Sequence, residues 1–145
     1  MISNQPSTKL HSQLDPGPHC RAAKIKEREP ITLHPDDARK RNIRSGDIVK
    51  VFNKRGACLA AAAIDDEVRQ GVVQMSTGAW FDPVQPGEAG SICKHGNPNI
   101  LTIDKGTSKL AQGPIAHSCL VEVEKYFGPD LRVTAFDAPV IEAQE

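Results

Sequence analysis

Long apolar runs are missing from this sequence. Nothing in its 145 residues approaches the roughly 20 consecutive apolar positions that cross a bilayer. The opening "MISNQPSTKLHSQ" also lacks the basic-then-apolar layout of a signal peptide. Membrane insertion is therefore not expected, and the chain reads as soluble. Net charge is missing too, with 18 basic residues against 18 acidic, so the electrostatic footprint of a duplex-binding protein is absent, which still leaves room for a local basic patch. The four cysteines, Cys20, Cys58, Cys93 and Cys119, include no CxxC pair and are too few for a disulfide-dense scaffold. Reduced thiols are the expectation.

The sequence signatures of common enzyme chemistries are absent as well. No G-x-S-x-G elbow accompanies the serines and histidines, so nucleophilic catalysis has no local support. "KGTSKLAQG" has glycines and hydroxyls but not the phosphate-loop order, although its backbone N–H groups could still hold an anion. Zinc needs four ligands in paired short spacings. The spacings here, Cys93 to His95, His19 to Cys20 and His117 to Cys119, are irregular, so no metal site is expected.

What is present is enough chain for one domain and too little for two ordinary ones. Residues 3–29 form a polar arm broken by Pro6, Pro16, Gly17 and Pro18, with room for one helical turn around Arg21 to Lys26. A segment of that length without regular structure is a candidate contact surface. "PITLHP" predicts a strand over 30–34. "HPDDARKRNI" then predicts a helix over 35–41, with acidic residues at its start and basic ones at its end matching the dipole. "SGDIVKVFNKRGACLAAAAID" reads as a hairpin, 47–53 returning as 57–64. The alanines are strand by context, because the run is short and bounded by a glycine turn and acidic residues. Further strands are expected over 72–76 and 118–124, with a long Gly/Pro-rich loop between them. Short strands, one clear helix and long polar loops argue a small, mostly β barrel with function on the loops.

Those loops are rich in side-chain amides: "SNQP", "HSQ", "STGAW", "HGNPN" and "GTSKLAQG". An amide both donates and accepts, which suits a ligand whose edge alternates donors and acceptors, such as a purine or pterin. Any one of these residues could instead hold its own turn through a side chain to backbone bond. Five such loops in one small chain favour a ligand.

Taken in order, "SNQP…LHSQ", "ITLHPDDARKRNIRSGDIVKVFNKRG", "STGAWFDP" and "HGNPNILTIDKGTSKLAQGP…SCLVEVE" resemble the C-terminal domain of the dimethyl sulfoxide reductase family of molybdenum enzymes. Within that family the likeness is greatest to the trimethylamine N-oxide and biotin sulfoxide reductase branch. It covers about residues 2–137.

The resemblance implies a six-stranded double-psi β-barrel with short helices and long loops, in which residues 1–145 form a single domain and the arm, 1–29, contributes cofactor loops. It implies bis(molybdopterin guanine dinucleotide) molybdenum as the cofactor of a longer parent from which this domain is excised, with the cofactor absent from the piece itself. Contacts carried over by motif are Asn4, His11, Gln13, Asn97 and Gln112, with Ser12, His95 and Asn99 beside them. Ser108 and Lys109 are phosphate neighbours by their chemistry alone.

The parent would reduce an S-oxide or N-oxide by oxygen-atom transfer. The domains that supply the molybdenum ligand and most of the substrate funnel are not in this sequence, so no catalytic residue and no independent activity are expected. The expected partners are the remaining domains of the parent, with no nucleic acid and no membrane, and the piece alone is expected to be a monomer. The compartment stays open, with the cytoplasm as the working assignment, because any export signal would lie upstream. Two other readings use the same barrel: a stand-alone interaction or small-ligand module without redox activity, and a self-sufficient decarboxylase, for which the processed Gly-Ser junction is not visible.

Overall fold

The computed structural model describes residues 1–139. It is mostly β, with a five-stranded mixed sheet and short helices. The strands are β1 (Pro30–Leu33), β2 (Ile48–Asn53), β3 (Gly56–Ile64), β4 (Val73–Met75) and β5 (Glu122–Lys125), in the spatial order β4-β1-β3-β2-β5. β1 and β3 run parallel and the other pairs antiparallel.

The pattern of burial follows from where each strand sits. β2 alternates, burying Val49 and Val51 while Ile48 and Lys50 are half-buried, as a strand with one core face does. β3 buries Cys58 through Ala62 without alternation, because it has hydrogen-bonded neighbours on both edges and is covered on both faces. One edge of β3 is shared: its C-terminal half pairs with β1, while Leu59 N–H donates to the Cys93 carbonyl at 2.8 Å beside its N-terminal half. Small alanines let these segments approach closely. Ile31, Leu33, Val49, Val51, Met75 and Leu101 centre the core.

Two helices are short. α1 (Pro18–Ala22) starts earlier than the turn expected around Arg21 to Lys26, since Pro18 at its first position lacks only an N–H that would be unpaired anyway. α2 (Pro35–Lys40) matches its expected place. His34 Nδ1 accepts the Asp36 N–H at 3.1 Å as its cap, and Asn42, in the left-handed region at φ 53°, turns the chain out.

The last strand differs from its expected span of 118–124, since β5 begins only at Glu122. The stretch before it pairs with the N-terminus instead. Met1 and Cys119 exchange backbone bonds, and Ser3 N–H donates to the His117 carbonyl at 2.9 Å. On its other side Ile2 bonds Val73 and Met75 of β4. Residues 1–4 thus lie between β4 and the segment leading into β5. Among the described residues no helix is long and apolar enough to cross a membrane.

Candidate functional site

Three stretches far apart in sequence border one open cleft of about 510 Å³: His11 and Ser12 from the arm, residues 77–81 from the loop after β4, and Asn97 and Asn99 from the loop after Cys93. Each is locally fixed. In the arm, Gln13 N–H donates to the Leu10 carbonyl at 2.9 Å, and Gln5 Oε1 accepts the His11 N–H at 3.1 Å. This turn holds His11 at φ 51°. Gly78, at φ 95°, passes so close to the arm that a Cβ there would lie 1.7 Å from the His11 carbonyl oxygen. Only glycine satisfies both conditions. Two walls of the cleft are therefore packed backbone against backbone.

The third wall is a 3-10 turn, Pro98–Leu101, capped by Asn97, whose Oδ1 accepts the Asn99 N–H at 2.9 Å. Pro98 and Leu101 bury the inner side of that turn, which leaves the two amides at the cleft. The Asn99 side-chain amide makes no hydrogen bond to the rest of the described residues.

Beneath the cleft lies a buried charged cluster. Lys9 Nζ is 2.7 Å from Asp15 and 2.9 Å from Glu29, and Lys24 Nζ is 2.9 Å and 2.8 Å from the same two carboxylates. Signs alternate around the four groups, so every buried charge has two opposite neighbours, the arrangement that best offsets the cost of dehydration. Burial alone would push the Asp15 carboxyl up. The hydrogen bonds from Lys9, Lys24 and the Trp80 N–H more than offset it and hold Asp15 below the ordinary carboxylate range. Burial would likewise lower Lys9, but Asp15 and Glu29 keep it above its usual value.

The cluster reaches the cleft through Trp80. Asp15 Oδ2 accepts the Trp80 N–H at 3.0 Å, and His95 Nδ1 pairs with the Trp80 carbonyl at 3.0 Å. His95 is fully buried, with Phe136 edge-on to it at 4.9 Å between ring centroids. Burial and the nearby Lys24 ammonium lower its pKa. The neutral ring therefore donates from Nδ1, and Nε2 is left without a partner. A second knot pins the tail: Asp82 accepts from Thr134 and lies 3.2 Å from Lys94.

Of the residues singled out from sequence, the cleft gathers His11, Ser12, Asn97 and Asn99. His95 stands behind it. Gln13 closes the arm turn without lining the cleft, and Asn4 accepts from the Gln74 side chain. Ser108, Lys109 and Gln112 sit on a small ribbon over 105–115, where Ser108 and Gln112 bond only ribbon neighbours. The charged cluster under the cleft was not singled out from sequence. Lys9, Asp15, Lys24 and Glu29 carry no periodicity, and Asp15 before Pro16 looks like an ordinary turn residue. Trp80 was visible only as part of "STGAW". Among the described residues no group of three or more His, Cys, Asp or Glu side chains converges as metal ligands, and all four cysteines are free thiols.

The family model described as "Molydopterin dinucleotide binding domain" matches residues 1–120. The trimethylamine-N-oxide reductase of Salmonella typhimurium is 47% identical over 144 residues, covering 95% of this chain and 16% of that protein. Trimethylamine-N-oxide reductase 1 of Escherichia coli K12 is 50% identical over 138 residues, 91% of this chain and 16% of that protein. The dimethyl sulfoxide/trimethylamine N-oxide reductase of Rhodobacter capsulatus is 43% identical over 139 residues, 96% and 17% respectively. The chain thus spans about one sixth of the length of these relatives. In fold it superposes on acetylene hydratase from Pelobacter acetylenicus with a TM-score of 0.65 at 18% identity, over 86% of this chain and 18% of that one.

Proposed function

This chain belongs to the Molydopterin dinucleotide binding domain family, and on that premise we propose that it helps hold bis(molybdopterin guanine dinucleotide) in a longer enzyme that reduces S-oxides or N-oxides. The observation that carries this reading is the convergence of His11, Ser12, Thr77, Asn97 and Asn99 on one cleft bordered by Trp80 and Phe81. The donor set fits the group. Amides and hydroxyls match the alternating edge of a pterin or guanine, and the aromatic rings offer flat apolar contact. The unpaired Asn99 amide is available to a ligand without breaking a bond of the fold.

When bound, the molybdenum group would supply the oxygen-atom transfer. The residues of this chain bind and orient: Asn97 and Asn99 and the Ser12 and Thr77 hydroxyls pair with polar edges, and Trp80 and Phe81 exclude water from ring faces. Among the described residues this reading assigns none a contact with the reacting oxygen; their part is to bind and orient.

The finer fold reading is a six-stranded double-psi barrel, with residues 1–4 as the sixth strand. Its support is that those residues bond β4 on one side and 117–119 on the other, while β5 bonds β2. The partners are the other domains of the parent. Nearly full exposure of Leu110, Leu120 and Phe127 is consistent with surfaces that meet further protein.

The test is Asn99→Ala in the longer enzyme, followed by measuring molybdenum and released guanine nucleotide per mole of purified protein. A clear fall in both is expected, because a ligand group loses its partner. Full occupancy with both replaced, Asn97→Ala and Asn99→Ala together, would sink the reading.

A further inference from the structure

Trp80 is held in an unusual way. Its N–H is taken by the buried Asp15 carboxylate at 3.0 Å, its carbonyl meets buried His95 Nδ1 at 3.0 Å, and its indole Nε1–H donates to the Ser12 carbonyl at 2.8 Å. The ring also packs edge-on against Phe136, 5.7 Å between centroids. Yet the residue is 40% exposed, and it borders the cleft. Fixing a half-exposed aromatic costs side-chain and backbone entropy, and here it also requires four charges to be dehydrated. A core that needed only stability would fill this space more cheaply with apolar side chains.

We propose that Asp15 is a positioning residue of the cleft: Lys9 and Lys24 fix its carboxylate so that it sets the Trp80 peptide, and the indole then stands as a rigid wall for a planar heteroaromatic ring. The inference rests on the reading of the cleft as the dinucleotide site. One oxygen of Asp15, Oδ1, faces both ammonium groups. The other, Oδ2, is thereby left to aim at a single backbone N–H. His95 closes the peptide from the opposite side, and its neutral state keeps a fifth charge out of the cluster. Two lysines are needed because either alone would leave a carboxylate of the pair Asp15 and Glu29 short of a counter-charge. The ring that stacks on the wall is a fused, flat, nitrogen-rich one, a chemistry shared by pterin and guanine.

Trp80 is the chain's single tryptophan, so indole fluorescence reports this wall without any assay of the loaded enzyme. The experiment compares the unaltered chain with Asp15→Ala and with the charge-balanced double variant Lys9→Met with Asp15→Ala, which stays neutral and keeps the Lys24–Glu29 pair if the single variant does not fold. Melting temperature, acrylamide quenching and time-resolved anisotropy of the indole are measured in each. A positioning role predicts a folded double variant in which quenching rises severalfold and a fast anisotropy component appears. A merely structural role predicts a lower melting temperature with both indole readouts unchanged, and that result overturns the proposal.

Guanosine diphosphate and 6-hydroxymethylpterin, titrated separately, then distinguish the two ring sources by which of them protects Trp80 from acrylamide. Binding of the protecting ring should weaken on the order of tenfold in the double variant, the size of one lost base–aromatic stack. Equal binding to both proteins overturns the proposal even if the indole has loosened. Protection by neither probe, with a loosened indole in the variant, removes the cleft reading and the ring-stacking part of the proposal with it, while leaving Asp15 as the group that fixes Trp80.

Discussion

Asn97 Oδ1 accepts the Asn99 N–H at 2.9 Å, and both residues border the same cleft. One amide therefore serves the fold as a cap, while the other, two residues on, is free of it. That asymmetry separates structure from binding. Asn97→Ala should cost about 1 kcal/mol of domain stability, the usual loss of a cap. Asn99→Ala should stay within about 0.5 kcal/mol, as surface changes do. Both should weaken retention of the ligand. Denaturant melts of the domain beside molybdenum content of the longer enzyme check the pattern; equal destabilisation by the two would show that Asn99 also holds the turn.

Acid should weaken the domain in two stages. Burial, with the neighbouring Lys24, holds His95 below its ordinary 6.5, so the unfolded chain takes up that proton first. The stability it contributes is present above 6.5 and is lost as pH falls through the folded value. Asp15 and Asp82 follow. Burial would raise both, yet their hydrogen bonds leave them below 3.8, so their contribution is present above that value and lost as pH falls through the lower folded ones. Melting temperature against pH should fall first below about 6.5. His95→Asn, whose amide can still donate to the Trp80 carbonyl, should remove that first fall; an unchanged profile would contradict the assignment.

Gly78 and Gly87 make a matched pair for backbone strain. Both have positive φ, 95° and 83°, but an added Cβ meets the His11 carbonyl at position 78 and open space at 87. Gly87→Ala should cost roughly 1 kcal/mol through its backbone alone. Gly78→Ala should cost about 2–4 kcal/mol, since arm and loop must separate. Urea denaturation of the two variants decides it, and similar midpoints would mean that the arm gives way easily.

Amide exchange should divide the irregular segments. From sequence alone both 3–29 and 77–117 are expected to be comparatively mobile. Lys9, Asp15, Cys20, Arg28 and Glu29 are instead buried, so the arm is anchored. Thr107, Ser108 and Ala111 bond only within the exposed ribbon. Protection at Gly17 and Glu29 should exceed that at Thr107 and Ala111. Equal protection would show that the ribbon is held by contacts of its own.

Thiol reactivity offers a last check. Burial pushes the Cys58 thiol well above its ordinary value, with Cys93 and Cys119 adding to the effect. A neutral, fully buried thiol is a poor nucleophile. Alkylation of the native chain followed by mass spectrometry should modify half-buried Cys119 well before Cys58. Prompt labelling of Cys58 would mean that β3 opens far more readily than its two-sided pairing implies.

The sequence by itself determined the local elements. Pro35 with Asp36 and Asp37 starts α2 and the basic run ends it, because capping and dipole act within one turn. Asn53 to Gly56 closes the β2–β3 hairpin, because turn chemistry is local. The ordered amide loops also carried the family resemblance, and His11, Ser12, Asn97 and Asn99 do share a cleft. Tertiary structure alone decided the rest. Whether an Asn caps a turn or faces a ligand depends on which backbone N–H lies within reach, and Asn97 does the first while bordering the second. The pairing of residues 1–4 with 117–119 joins chain ends that share no local signal. Lys9, Asp15, Lys24 and Glu29 read as solvated charges in a polar arm, since nothing in a linear sequence says which charges will be dehydrated together. They became the support of Trp80 only when folding removed water from around them, paired each charge with its opposite neighbours and left Asp15 Oδ2 to the Trp80 N–H.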